Sequence, residues 1–401
     1  MLIKKVKAKK ILNSRKEEAI KVIVKTTNGK YFASAPSGAS KGKNEVADFP
    51  KGGVDKSISI INDLELKDFE INSFEDFKKL EEFLKKYDGT KDFSVMGGNA
   101  IIALEFALLK ALSHGKVWKL FNEHPKRLPR PLGNCVGGGK HVKGANKPTL
   151  QEFLLLSLDA RDFEKSVEAN KGIYQVMKEK LKNYSLVLND ENAISPDLDD
   201  VAILNIMKSV TEESSLDWGF NVKLGLDMAA SSFYEKGNYN YKGKKISREN
   251  QIKFVKELIK RFGLVYVEDP LEQNDFKGFV ELKAECGDKC FICGDDLTCT
   301  NPTLLKKAIK MKAINAVIVK PNQIGSIVKT KEFVDLAKQN KITPIISHRS
   351  GETEETIIAH LAVGFDIPII KAGIIGKERE IKLEEIKKIK KEIKENKNLD
   401  L

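Results

Sequence analysis

The sequence predicts a closed α/β barrel preceded by a smaller α+β unit. After about residue 129, apolar runs of strand length recur, and six of them end on a charged or metal-capable side chain. NVKLGLD ends at Asp227, GLVYVED reaches Glu268, CFICGDD reaches Asp295, AVIVK ends at Lys320, ITPIISH at His348 and IPIIK at Lys371. The spacings between these six residues are 41, 27, 25, 28 and 23, each enough for a strand, a helix and two loops. Segments with helical spacing lie between the runs, at 248–261, 303–310 and 329–340. Repeated alternation with polar groups at each strand's C-terminal end is the pattern of a parallel barrel, in which those ends form one rim. An open doubly wound sheet is the alternative, but it does not gather six successive strand ends around one point.

The first unit spans residues 1–128. KVIVKT at 21–26, Asn28-Gly29 and YFASA at 31–35 read as a hairpin turning at Asn-Gly. PSGASKG at 36–42 follows, a loop of small residues that can move and can bring backbone amides to an anion. Helical patterns cover 54–64, 73–87 and 99–121. The Pro-rich joint LPRPLGN at 128–134 marks the boundary with the barrel unit, residues 129–401. The turn-rich segment EKGNYNYKGKK accounts for the longest spacing, and 378–397, alternating Lys and Glu with spaced isoleucines, reads as a solvated closing helix.

Composition narrows the function. The chain has 401 residues and a formal charge of +12 spread along its length, with 7% aromatic residues and no recognisable nucleic-acid motif. Such a field favours small anionic substrates over a specific nucleic-acid partner. No run of about 18 apolar residues occurs, since the best stretch, 100–112, is broken by Glu105 and Lys110. The start MLIKKVKAKK lacks the apolar segment of a signal peptide, so a cytoplasmic protein is expected, with its five cysteines reduced. Cys286, Cys290 and Cys293 have the C-x3-C-x2-C spacing of a radical-enzyme iron–sulfur cluster, but Cys293 lies within the apolar run CFIC and should point into packing.

If the barrel forms, Asp227, Glu268 and Asp295 meet across three adjacent strand ends. Three carboxylates repel one another unless a cation neutralises them, and hard oxygen donors without histidine or thiolate select Mg²⁺ or Mn²⁺. Lys320, His348, Arg349, Ser350 and Lys371 would stand on the opposite side of the rim. That pocket suits a ligand with two negative groups, one on metal and one on the basic cluster. A carboxylate held on Mg²⁺ has an acidified α-carbon, and Lys320 is the candidate base. A lone strand-end lysine often snorkels to water; these neighbours argue for chemistry instead.

The residues resemble those of the enolase family over nearly the whole chain. SGASKG at 37–42, GGNAI at 97–101, QEF at 151–153, LDMAAS at 226–231 and VEDP at 267–270 are similar to its signatures, as are GDDLTCTNP at 294–302, VKPNQIGS at 319–326 and SHRSGETEET at 347–356. The resemblance implies a TIM-like, enolase-type barrel that reversibly dehydrates 2-phosphoglycerate to phosphoenolpyruvate in glycolysis and gluconeogenesis. A lysine or histidine base with one or two Mg²⁺ ions is the established chemistry of that superfamily. By the same resemblance Lys320 is the base at C2, and Glu191 is the acid at the C3 hydroxyl, assisted by Glu152. Asp227, Glu268 and Asp295 bind the first of two Mg²⁺ ions, and Ser40 the second. Arg349 and Ser350 hold phosphate, Lys371 neutralises the carboxylate, and His141, Gln151 and His348 line the pocket. A homodimer or higher homo-oligomer is implied as well.

Some loops depart from the family pattern. DSRGNP near the start is here Asn13-Ser14-Arg15-Lys16-Glu17-Glu18, in a turn beside the subunit contact. GDEGG is here Asn189-Asp190-Glu191-Asn192-Ala193, where asparagine can replace glycine at positive φ and alanine cannot. Lys41 stands where threonine is common, HVKGANKPTLQE is lengthened, and Ile374-Ile375-Gly376-Lys377 replaces a small-residue and arginine pattern. These changes keep two alternatives open: a paralogue abstracting the α-proton of a different carboxylate, and a catalytically weak enolase-like binding protein.

Overall fold

The structure is a computed structural model and describes residues 1–39, 41–142, 147–160 and 162–395, the side chain of His141 excepted. Its first unit is an antiparallel sheet of Ile3–Leu12, Glu18–Thr26 and Gly29–Ser34. The hairpin closes where Thr26 faces Gly29, and Gly29 takes φ 122°, a region that L side chains rarely enter. Helices Gly53–Asp63, Asp76–Asp88 and Gly98–Leu112 cover it.

Gly98–Leu112 is apolar on nearly every face and correspondingly buried, packing against the sheet on one side and the barrel on the other. A Cβ on Gly98 would lie 2.4 Å from Val46 Cγ2, so the close approach needs glycine. The helical pattern expected to run to residue 121 stops at Leu112, because His114 and Gly115 turn to positive φ; a short 3-10 turn, Val117–Leu120, follows.

The barrel has eight strands, in order Arg130–Gly137, Glu152–Leu156, Lys223–Asp227, Tyr266–Glu268, Phe291–Gly294, Ala316–Val319, Thr343–Ser347 and Ile369–Lys371. The last pairs in parallel with the first and closes the ring. One strand departs from the all-parallel expectation: Glu152–Leu156 runs antiparallel to both neighbours. It pairs antiparallel with Arg130–Gly137, the strand before it in the chain, as the two arms of a hairpin do. Its first residue, Glu152, therefore reaches the rim where the parallel strands end, opposite Gly137 and Asp227.

Leu132, Leu154, Tyr266, Cys293, Ala316, Ile318, Ile345 and Ile369 fill the barrel interior. Cys290 belongs to the core outside it, so two of the three spaced thiols face opposite sides of the wall. Side chains alternate along a strand, and the interior series therefore continues upward: Ile318 to Lys320, Ile369 to Lys371, Tyr266 to Glu268, Cys293 to Asp295, Leu154 back to Glu152. The turn-rich insertion is a small sheet of Tyr234–Glu235, Asn238–Tyr241 and Lys244–Ser247. The closing helix Lys377–Glu395 corrects the solvated reading. It buries Leu383, Ile386, Ile389 and Ile393 on one face, and with them Arg379 and Lys382. Among the described residues no helix is long and apolar enough to cross a membrane.

Two carboxylates tie the first unit to the barrel. Ser326 caps helix Ile327–Gln339, which follows the loop after Lys320. Glu81 accepts from Ser326 Oγ at 2.7 Å and from the amide of Val328 at 3.0 Å, and Glu105 accepts from the amide of Ile327 at 2.8 Å. These are amides that a helix start leaves unsatisfied. Glu105 is completely buried, and burial, then the Glu81 charge, push its carboxyl well above the usual value of 4.5.

The folded state therefore holds a proton that the unfolded chain releases near pH 4.5, and stability falls as pH rises from there to the folded value. Glu105→Gln keeps an acceptor and a donor without that proton. Its stability relative to the unsubstituted protein should be higher at about pH 8 than at about pH 4 by urea melts; the same difference at both pH values would contradict this.

Candidate active site

The rim gathers two opposed sets of charge. In the acidic set Lys371 is the hub: its Nζ lies 2.9 Å from Glu152 Oε2, 2.9 Å from Asp227 Oδ2 and 2.7 Å from Glu268 Oε2, with every side chain buried. Tyr266 donates to Glu268 Oε2 at 2.6 Å and Gln151 to Asp227 Oδ2 at 3.3 Å. This placement differs from the sequence expectation, which put Lys371 on the basic wall. A lysine at that strand end continues the interior alternation, and the surrounding carboxylates draw it in. Burial acts to lower its pKa, but Asp227, Glu152 and Glu268 hold it well above the usual lysine value. Glu268, pressed by burial and then by Asp227, is driven well above the usual carboxylate value.

Asp295 pairs with Lys320, whose ammonium points into the same pocket. Burial works against the charge on Lys320, and the Asp295 carboxylate overcomes it, so the amine is held above its ordinary value rather than below it. Gln323 Nε2 donates to Asp295 Oδ1 at 2.9 Å, Thr300 Oγ1 donates to Gln323 Oε1 at 2.7 Å, and the amide of Lys320 donates to Thr300 Oγ1 at 2.9 Å. Backbone and side chain of Lys320 are thus fixed by one relay.

On the other side, Arg349 donates from NH1 to Glu45 Oε2 at 3.0 Å and Asn322 Oδ1 at 3.0 Å, and from NH2 to Glu45 Oε1 at 3.2 Å. Ser350 Oγ accepts from the amide of Ala39 at 2.7 Å, which brings the first unit's small-residue loop over the rim. His348 is fully buried, and burial holds it well below the usual histidine value, so it is neutral.

The altered loop around Glu191 keeps its turn by a route different from the one expected. Asn192 takes positive φ, 63°, whereas Asn189 and Ala193 do not. Asn189 instead acts through its side chain, its Oδ1 accepting from the amides of Glu191 at 2.9 Å and Ala193 at 2.8 Å. Glu191 is thereby aimed inward, where its Oε2 accepts from Asn134 Nδ2 at 3.1 Å and lies 3.8 Å from His348 Nε2. The altered N-terminal turn also serves the site. Ser14 Oγ donates to the Ser350 carbonyl at 3.2 Å and accepts from the Glu352 amide at 3.1 Å, while Lys16 takes φ 60° where the family pattern has glycine.

Gln151, Glu152, Glu191, Asp227, Asp295, Lys320, His348, Arg349, Ser350 and Lys371 line one cavity of about 30 Å³, and Glu268 lies buried against Asp227 and Lys371. Ser40 and the side chain of His141 lie outside the described residues. A larger cavity of about 640 Å³, between Lys147, Asp200, Tyr241 and Phe254, holds none of these groups; the convergence of buried charge, not volume, marks the site.

The donor set fits a hard divalent cation. Glu268 Oε1 is buried with no hydrogen-bond partner among the described residues, a cost that a metal bond would remove. Asp269, Asp295 and Asp296 also cluster. The oxygens of Asp269, however, accept the amides of Asp295 at 2.9 Å and Asp296 at 2.8 Å, which is a structural use.

A closed barrel with a buried lysine and carboxylate network at one rim, capped by a loop from a preceding unit, is the architecture of a barrel enzyme with its site at the strand ends. The comparisons agree on which. Residues 3–123 match the model for the N-terminal domain of enolase and residues 125–400 that for its C-terminal TIM barrel domain. Enolases from Methanothermobacter thermautotrophicus and Methanosphaera stadtmanae are each 40% identical, covering 100% and 98% of this chain and 99% and 97% of their own. That of Picrophilus torridus is 38% identical over 98% of this chain and 99% of its own. The chain belongs to the enolase family, and as a phosphopyruvate hydratase it is a lyase. Membership implies a divalent metal cofactor and a small carboxylic acid substrate.

Sequence reasoning missed Asn134, Glu45, Asn322, Gln323, Arg379 and Lys382. NQ within VKPNQIGS was visible as a motif, but nothing local tied Arg379 or Lys382 to the site. Arg379 donates to the carbonyls of Arg349 at 3.0 Å and Ser350 at 2.7 Å, and Lys382 lies 2.9 Å from Glu352. Arg379→Leu takes its donor from the buried Arg349 carbonyl, a loss of about 1–3 kcal/mol, and leaves the Ser350 carbonyl with the bond from Ser14. It should lower unfolding free energy by at least about 1 kcal/mol in urea; an unchanged midpoint would show that the helix does not brace this segment.

Proposed function

We propose that the chain is a Mg²⁺-dependent enzyme that interconverts 2-phosphoglycerate and phosphoenolpyruvate in the cytoplasm, built as a capping unit of residues 1–128 on a catalytic barrel of residues 129–401. The observation that carries this reading is the meeting of Lys320 and Arg349 with Asp227, Asp295 and Lys371 in one buried pocket. Asp227, Glu268 and Asp295 would hold one Mg²⁺, with Mn²⁺ as a substitute, and Ser40 a second. When bound, the cation supplies positive charge to the substrate carboxylate and so acidifies the neighbouring carbon.

Lys320 acts as the base only as the neutral amine: with Asp295 engaged by a cation, that carboxylate would no longer hold the ammonium, and the free ε-amine takes the C2 proton and becomes the ammonium. The electron pair left on C2 then forms the C2–C3 double bond as the C3 hydroxyl departs, and Glu191, assisted by Glu152, gives that hydroxyl the proton that makes it water. Asn134 and His348 flank Glu191 and orient its carboxyl group. Arg349 and Ser350 face the phosphate, Lys371 the carboxylate, and His141 and Gln151 complete the wall. The cavity is smaller than a phosphorylated three-carbon acid, so entry requires side chains to move, Lys371 among them. The turn at Ser14 lies against the substrate loop, next to the face that homodimerisation would use.

Lys320→Ala should lower turnover of 2-phosphoglycerate by about 10²–10⁴-fold and abolish exchange of its C2 hydrogen with solvent. Glu191→Gln should lower turnover comparably yet retain exchange. Exchange on another carboxylic acid but none on 2-phosphoglycerate would favour a paralogue, and neither exchange nor binding a non-catalytic role.

Metal binding tests the acidic wall without activity. Lys371→Met removes the ammonium that a cation must compete with, so Mg²⁺ should bind it more tightly than the unsubstituted protein by calorimetry. Weaker binding would place the metal elsewhere.

A further inference from the structure

Glu45 belongs to neither wall, yet its carboxylate meets both. It lies in the segment between the small-residue loop and the first helix, and its side chain is 3% exposed. Oε1 accepts from the amide of Gly42 at 3.0 Å, from Arg349 NH2 at 3.2 Å and from Gln323 Nε2 at 3.4 Å; Oε2 accepts from Arg349 NH1 at 3.0 Å. Gln323 is the residue that also donates to Asp295. A single carboxylate thus closes the turn of the small-residue loop, holds the guanidinium by a two-pronged contact, and reaches the amide that orients Asp295.

We propose that Glu45 is a positioning residue for the substrate's phosphate: it sets the plane of the Arg349 guanidinium and fixes the turn at Gly42 to that group. This rests on Arg349 being the phosphate ligand. A guanidinium binds an oxyanion well only when its planar fork is held in register. Glu45 from the first unit and Asn322 from the loop after Lys320 engage one end of that fork, each accepting from NH1 at 3.0 Å. Asn322 is itself fixed, donating to the Pro36 carbonyl at 3.1 Å and to Asn99 Oδ1 at 3.2 Å. Glycine is required at the point Glu45 grips, since a Cβ on Gly42 would lie 2.5 Å from Cys299 Sγ and 2.9 Å from Asp296 Oδ1. The loop can therefore seat only if this turn is tight, and Glu45 makes it so.

The test uses the full chain with Mg²⁺, comparing Glu45→Gln, Glu45→Asp and Glu45→Ala. KM for 2-phosphoglycerate and the inhibition constant of inorganic phosphate should rise together, on the order of ten- to a hundredfold in Glu45→Ala. Glu45→Gln should be weaker in effect, and Glu45→Asp should recover part of the loss. Urea midpoints should differ far less than these constants. Unchanged constants would overturn the proposal, and so would tighter phosphate binding, which would make Glu45 a competitor of the ligand. If the unsubstituted protein turns over 2-phosphoglycerate and is inhibited by phosphate, failure in the variants falls on Glu45 alone; if it does neither, the functional reading and this proposal fall together.

Discussion

Everything at the rim answers to one electrostatic constraint: Glu152, Asp227, Glu268 and Asp295 are buried together, and among the described residues the ammonium groups paired with them are those of Lys371 and Lys320. Four carboxylates facing two ammoniums leave an excess of two negative charges, and burying charge costs more than a pair of contacts returns. Burial first, and the Asp227 charge after it, push the Glu268 pKa up, the response expected of a carboxylate crowded in this way. A fold selected only for stability would fill this space with apolar side chains, as the barrel does one layer lower with Leu154, Ile318 and Ile369. A divalent cation held by these carboxylates would supply the two positive charges that the excess calls for, in competition with Lys371 for the same oxygens.

The same constraint accounts for the antiparallel strand. Parallel strands bring Asp227, Glu268, Asp295, Lys320 and Lys371 to the rim with their C-terminal ends, and the fourth carboxylate of the acidic set comes by another route. Reversing Glu152–Leu156 delivers Glu152 from a strand's beginning, hydrogen-bonded in register with Asp227. Gln151, one residue earlier, then donates its side-chain amide to Asp227 Oδ2, the oxygen that also meets Lys371.

Much of this was legible in the sequence, and the limit has a physical cause. Period-2 alternation along AVIVK or IPIIK fixes which face Lys320 and Lys371 share, so the membership of the site could be read from local patterns. Which charge pairs with which could not, because pairing depends on distances across the barrel; Lys371 was legible as a rim residue and not as the partner of three carboxylates. The reversed strand was missed because QEFLLL carries no polar residue at its C-terminal end, the signal that marked the others. The Glu191 loop shows a subtler limit: asparagine was readable as a residue tolerant of positive φ, but Asn189 works by its side-chain acceptor and only Asn192 by its backbone.

The two units are joined by carboxylates set against backbone amides and one guanidinium rather than by apolar contact alone. Glu81 and Glu105 hold the start of the helix that follows the Lys320 loop, while Glu45 holds Arg349 and the turn at Gly42. Ser14 and Arg379 brace the 349–352 segment from the two ends of the chain. Directional bonds of this kind transmit position, since a shift of a few tenths of an ångström in the first unit changes the geometry of each charged contact, whereas packed methyl groups tolerate sliding. Lys320 and Arg349 lie on different strands with no bond between them among the described contacts, and the first unit is the body that touches the supports of both. Their separation is therefore set from outside the barrel, and the capping unit is part of the active site's ruler as well as its cover.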